Sequence, residues 1–215
     1  MALEVFDSRS DVRNLFITPE IRSRVMRFQP GEVSHGHTHD LGHEMFVVLA
    51  GQAEFTIAGE SGLVGPGQIC VARAGQWHEI HTLPDQPMTL YLSVSPHIEP
   101  THTLWDRAGG TQLPYRYGGS TRAEREARTE PPEAADVLLE RHLAASNSLA
   151  SAASANAAAQ HLAAEDLRLA LQAADAGAAH AAIDVMWQSM REMYARLQEL
   201  ELAWNELAPT AAPDR

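Results

Sequence analysis

The stretch Gly31–Gly51, GEVSHGHTHDLGHEMFVVLAG, places His35, His37, His39, His43 and Glu44 within ten residues and then turns apolar. On an extended strand, successive side chains alternate faces, so His37 and His39 point the same way with α-carbons roughly 6.5 Å apart. Two imidazoles in that relation can converge on one ion. His43 and Glu44 follow the turn at Asp40-Leu41-Gly42 and cannot both look inward once a strand has begun. The carboxylate is the better ligand candidate, because it balances the charge of a metal. A second half-site is expected from GQICVARAGQWHEIH, where His78 follows an Ala-Gly turn. Three imidazole nitrogens and one carboxylate oxygen suit a single divalent transition metal, Fe, Mn, Co, Ni, Cu or Zn, and leave positions open for water or substrate.

The neighbouring sequence predicts the scaffold. RSRVMRF, EMFVVLAG, AEFTIAGE, QICVARAG, WHEIHTL and MTLYLSVS are short runs rich in β-branched and aromatic residues, separated by Pro-Gly, Ala-Gly or Pro-Asp. Such spacing indicates an antiparallel barrel or sandwich. Gly31, His37, His39, Glu44 and Gly51 then stand at G-x5-H-x-H-x4-E-x6-G, which resembles the first signature of the cupin superfamily. Gly67, Gly75 and His78 resemble its second, G-x5-P-x-G-x2-H-x3-N, with Arg73 in place of the proline and Thr82 in place of the asparagine.

The resemblance covers about residues 20–96 and implies a small single jelly-roll barrel holding one metal through His37, His39, Glu44 and His78. Many relatives are metal-dependent enzymes acting on small organic molecules, dioxygenases, isomerases, epimerases and lyases among them, and others are sensors or storage proteins. Likeness to quercetin dioxygenase-like cupins implies that Glu44 serves as a catalytic base. Strand parity turns Phe46 and Val48 inward beyond Glu44 and puts Gln76, Ile80 and Thr82 on the face of His78, which predicts a mostly apolar substrate pocket. His35 is expected at the barrel mouth, His43 and His81 facing outward, and His97 and His102 in structural roles after the last strand. Cys70 reads as a small buried hydrophobe.

The rest of the chain obeys a different pattern. Residues 106–132 hold two Gly-Gly pairs, charges and a Pro-Pro, and read as a linker after a barrel over residues 1–105. Residues 133–208 contain no proline and one glycine, Gly177, and their alanine content favours helix. Ile183, Met186, Met190, Met193, Leu197, Leu200, Trp204 and Leu207 alternate at spacings of three and four, a heptad seam like that of a coiled coil. Its partner is the preceding alanine-rich stretch, folded back near residues 175–179 as a helical hairpin, the same helix of a second subunit in a homodimer, or both. Residues 209–215 read as a disordered tail.

Composition narrows the function. A net charge of −12 disfavours nucleic acid and anionic membrane surfaces as partners. All sixteen basic residues are arginine, which excludes lysine Schiff-base chemistry. One cysteine forms no disulfide within the chain, and the start lacks the pattern of an export signal, so a cytoplasmic location is expected. The expectation is therefore a metal-binding enzyme, oxygenase-like, with a small-molecule substrate inside the barrel. The alternative is a non-catalytic binding or sensor barrel whose helices mediate oligomerisation or docking.

Overall fold

A computed structural model describes residues 3–106 and 110–213. Ten strands come first: β1 (Asn14–Ile17), β2 (Arg22–Phe28), β3 (His37–Thr38), β4 (His43–Ala50), β5 (Ala53–Ile57), β6 (Glu60–Val64), β7 (Ile69–Ala72), β8 (His78–Thr82), β9 (Met88–Ser95) and β10 (Thr103–Leu104). They form two antiparallel five-stranded sheets, ordered β1-β2-β9-β4-β7 and β10-β3-β8-β5-β6, in the expected jelly-roll arrangement. Four of these strands, β1, β3, β6 and β10, have no run of their own among the six predicted. The run AEFTIAGE is divided by Ala58 and Gly59, both at positive φ, the primed turn that matches strand twist, so Glu60 opens β6 instead of ending β5.

Burial alternates along the central strands, Glu44, Phe46 and Val48 inward on β4 and Met88, Leu90, Leu92 and Val94 inward on β9. Register turns this alternation into rows across the first sheet, because directly paired residues share a face. Phe28 pairs Met88; Met26, Leu90 and Val48 form the next row; Arg24, Leu92, Phe46 and Cys70 the next; Arg22, Val94, Glu44 and Ala72 the last. The interior therefore grades from an apolar core, joined by Phe55 and Ile80 of the second sheet, to a polar end at Arg22 and Glu44. Each fully buried aliphatic or aromatic side chain in that core stabilises the fold by about 1.5–3 kcal/mol. Gly51 closes the β4–β5 turn at φ 72°, where an added Cβ would lie 2.1 Å from the carbonyl oxygen of Pro87.

The residues expected to form a linker are largely structured. Trp105 bridges Gln112, and a 3-10 turn at Gly119–Thr121 leads into α1 (Arg122–Glu126). Asn14 donates to the Ser120 carbonyl and to Glu124, tying α1 to the first strand. Residues up to 131, with those from 211 onward, make one compact unit, so this segment belongs with the barrel. The expected linker also includes residues 107–109, which lie outside the described residues, as do 1–2 and 214–215.

Residues 132–210 make the second unit, which contains α2 (Ala135–Gln172) and nearly all of α3 (Ala176–Ala211). The turn spans residues 173–175, just ahead of the expected 175–179. Ala174 adopts φ 52°, and Asp175 caps α3 by accepting from the Ala178 N–H at 3.0 Å. The two helices pack against each other within the chain. Gln160 donates to the Met186 carbonyl and to Ser189, Ser189 donates to Asn156, and Arg141 pairs with Glu206 at 2.9 Å. The seam divides accordingly: Met186 and Met193 are half-buried, whereas Ile183 and Met190 stay exposed on one stripe with Trp187 and Tyr194, which lie beside the seam. α3 continues through Pro209 to Ala211, so the tail begins later than residue 209. A proline so near a helix end forfeits one hydrogen bond without ending the helix. No helix among the described residues is long and apolar enough to cross a membrane.

Candidate metal centre

β3 contributes His37 and, one residue past its end, His39. β4 contributes Glu44 from the opposite sheet, and β8 brings His78 directly across from His37. The four side chains meet: one ligand-type atom from each lies within 4.8 Å of all the others. Glu44 Oε2 stands 2.9 Å from Nε2 of both His39 and His78 and 3.9 Å from Nε2 of His37, and the Nε2 atoms of His37 and His78 are 3.1 Å apart. His39, Glu44 and His78 are each 2% exposed. Gly36 permits this packing, since a Cβ there would fall 2.1 Å from the indole of Trp77, the residue preceding His78.

The outer ring nitrogens decide what the cluster can do. Nδ1 of His37 is 2.8 Å from the His35 carbonyl oxygen, Nδ1 of His78 is 3.0 Å from that of Gln76, and Nδ1 of His39 contacts that of Thr101. Carbonyl oxygens only accept, so these partners assign the hydrogen of each neutral ring to Nδ1. Three Nε2 lone pairs then converge on a carboxylate oxygen with no hydrogen among them. Such a set is attractive only around a positive charge. Metal-ligating histidines are oriented in this manner, each donating its other N–H to a carbonyl or carboxylate. The donor set thus fits one metal ion.

Electrostatics agree with a neutral ring at His37. Burial, with His78 nearby, pulls the His37 imidazole down to about 4. Burial opposes ionisation of Glu44, but His39 and His78, when protonated at Nε2, outweigh it with hydrogen bonds and positive charge and hold its carboxyl well below the ordinary range; a metal ion at the cluster would supply that charge in their place.

The other expected residues separate into groups. Phe46 borders the site, its ring 5.7 Å from that of His78, while Val48 and Ile80 lie in the packed core. Gln76 does not line the interior. It precedes β8, and its side-chain oxygen accepts from the Arg73 N–H, closing the turn before His78. Arg73, standing where the signature has proline, therefore keeps a hydrogen-bonded turn. His43 and His81 are exposed, His43 accepting from the Ala74 N–H and His81 pairing with Glu79. Burial raises the half-buried Cys70 thiol to about 11, which leaves it without thiolate character.

The loop after β9 supplies what the sequence reading missed. Besides the Thr101 carbonyl, it places the His102 ring 4.7 Å from that of His37 and 5.0 Å from that of His39. His97 lies behind, within 3.0 Å of the Thr101 hydroxyl, and burial with Arg22 nearby lowers it to about 3. Burial likewise holds His102 well below the ordinary range. A cavity of about 290 Å³, lined by Glu99, His102, Arg116, Ser120 and Arg122 among others, reaches the centre's edge at His102.

Comparison with known proteins finds one family model and a set of similar solved structures. The Cupin_2 family model, a cupin domain, matches residues 24–95. Similar solved structures include an uncharacterized conserved protein with a double-stranded beta-helix domain from Klebsiella pneumoniae, at 23% identity over 44% of this chain and 91% of that one, TM-score 0.42. TT1209 from Thermus thermophilus is 20% identical over 44% of this chain and 98% of that one, TM-score 0.42. KdgF from Halomonas sp. is 24% identical over 41% and 79%, TM-score 0.37. No curated protein matches the chain. The signature spacings, the two antiparallel sheets and the family match agree that residues 24–95 of this chain are a cupin domain.

Proposed function

We propose that His37, His39, Glu44 and His78 hold one divalent transition metal, and that the protein is a metal-dependent enzyme of oxygenase type acting on a small organic molecule. The supporting observation is the convergence of three Nε2 lone pairs on the Glu44 carboxylate, with every Nδ1–H spent on a backbone carbonyl. Fe, Mn, Ni, Cu and Zn all accept such a set. Bound there, the ion supplies Lewis acidity and, if redox-active, a means of engaging dioxygen.

The chain's own residues do the remainder. The three carbonyl contacts fix the imidazole planes. Phe46, Val48 and Ile80 exclude water from the deep side, so substrate approaches from the side of His102. Glu44, buried among the imidazoles, is the group placed to accept a proton from a substrate hydroxyl or carbon. The test is dioxygen uptake by Fe(II)-loaded protein with enediols, flavonols and thiols, beside Glu44→Gln. Uptake that requires both iron and Glu44 is expected, and its absence with every class removes the oxygenase assignment.

A second reading draws on the exposed stripe Ile183, Trp187, Met190 and Tyr194. In it the barrel binds a metal or metabolite without turnover, and the helices assemble a homodimer. Light scattering of the wild type beside Trp187→Glu/Tyr194→Glu decides this: a dimer that dissociates on substitution favours it, and a monomer in both cases removes it.

A further inference from the structure

The last inward row of the first sheet runs Arg22, Val94, Glu44, so an arginine shares the interior face of the proposed metal ligand two strands away. Their α-carbons are separated by about 10 Å, twice the strand spacing. Arg22 is 1% exposed, yet its Nε and Nη1 have no hydrogen-bond partner among the described residues. Nε of Arg24, one row deeper, is likewise buried without a partner. A buried arginine with idle donors is unusual, since each unmade hydrogen bond to a charged group is costly.

The carboxylates of Glu44, Glu99 and Glu124 and the rings of His97 and His102 feel the charge of Arg22, or it theirs, and none of them meets its Nε or Nη1. Guanidinium donors form a planar fork that matches a carboxylate. The cavity ending at His102 carries Arg116 and Arg122 on its wall. Arginines thus stand around one interior and its approach, with Glu44, Glu99 and Glu124 among them.

We propose that Arg22 is the anchor of a small carboxylate substrate, its Nε and Nη1 donating to the carboxylate while another oxygen of the same molecule faces the cluster of His37, His39, Glu44 and His78. This rests on, and deepens, the reading of that cluster as a metal site. The span of about 10 Å between the Arg22 and Glu44 α-carbons suits an acid of a few carbons, not a nucleotide or an oligosaccharide.

The test is calorimetric titration of metal-loaded full-length protein with pyruvate, lactate and malonate, and with the corresponding uncharged amides. The acids are expected to bind at least about tenfold more tightly than the amides. Arg22→Met should bring acid affinity down to the amide level with metal content unchanged, Arg22→Lys should restore part of it, and Arg27→Met, on an exposed side chain, should change nothing. Equal affinity for acids and amides, no acid binding at millimolar concentration, or full acid affinity in Arg22→Met would each overturn the assignment and leave Arg22 a structural counter-charge. If Arg22→Met does not fold, the acid-to-amide ratio of the wild type and Arg22→Lys still decide. Failure of the metal reading shows separately, as wild-type protein that retains no metal, and the acid-to-amide ratio of that protein then tests Arg22 alone.

Discussion

Replacing Glu44 by glutamine isolates the charge of the proposed centre, because the two side chains have the same shape. Glu44 Oε2 stands 2.9 Å from Nε2 of both His39 and His78, whose Nδ1–H groups are occupied by carbonyls. In metal-free protein a glutamine amide can direct its two N–H bonds at those two lone pairs. Two such bonds contribute about 1–3 kcal/mol together. The metal-free variant should therefore be as stable as the wild type or melt higher, by up to roughly 10 °C for a unit of this size. Saturating metal, at about a thousandfold excess over Kd, stabilises a single-site protein by about 4 kcal/mol. That gain should be present in the wild type and nearly absent in Glu44→Gln, which lacks the charge and must break the amide bonds to bind. Differential scanning calorimetry with and without Zn(II), after chelator treatment, measures both quantities. A metal-free variant destabilised by about 3–5 kcal/mol, the cost of breaking a buried ion pair, would refute the lone-pair reasoning and identify a proton as the native partner of Glu44.

Three further outcomes are expected. His102 gives no atom to the cluster but covers the rings of His37 and His39, so His102→Ala should keep about one ion per chain and release it faster to a chelator in stopped-flow; complete loss of the ion would make His102 a ligand. Gly51→Ala combines a positive φ with a Cβ 2.1 Å from the Pro87 carbonyl oxygen, and should cost about 2–4 kcal/mol in chemical unfolding; a cost within experimental error would show that the turn relaxes. Gln160→Ala removes bonds to Met186 and Ser189 within the helical unit and should destabilise it by about 1 kcal/mol without altering metal affinity, and a change in that affinity would count against separate roles.

The sandwich was legible because its central strands alternate: MTLYLSVS buries every other residue, as its pattern requires. The gathering of His37, His39, Glu44 and His78 was legible for the same reason, since parity fixes a face and a turn fixes the return of the chain. Gln76 departed from parity because it stands before the strand, in a turn that uses its side chain. Thr101 and His102 were not legible, because they lie on a loop whose path depends on β10 pairing with β3, a contact of two residues with no periodic signal. Arg22 was not legible: RSRVMRF reads only as a strand, and the inward turn of its Arg22, Arg24, Met26 and Phe28 face follows from the register with β9. The helix seam gave the hairpin its turn but not its facing, because both faces of α3 carry apolar residues at helical spacing.

The most direct measurement is metal content by mass spectrometry on protein purified without an affinity tag, beside His78→Ala. His78 is 2% exposed and gives its Nε2 to the cluster, so its loss removes one of three nitrogens without disturbing the surface. About one transition-metal ion per chain in the wild type, and almost none in a folded variant, is expected. Metal-free wild-type protein that also fails to take up added metal, or metal content unchanged by the substitution, would contradict the assignment of this cluster as the metal centre.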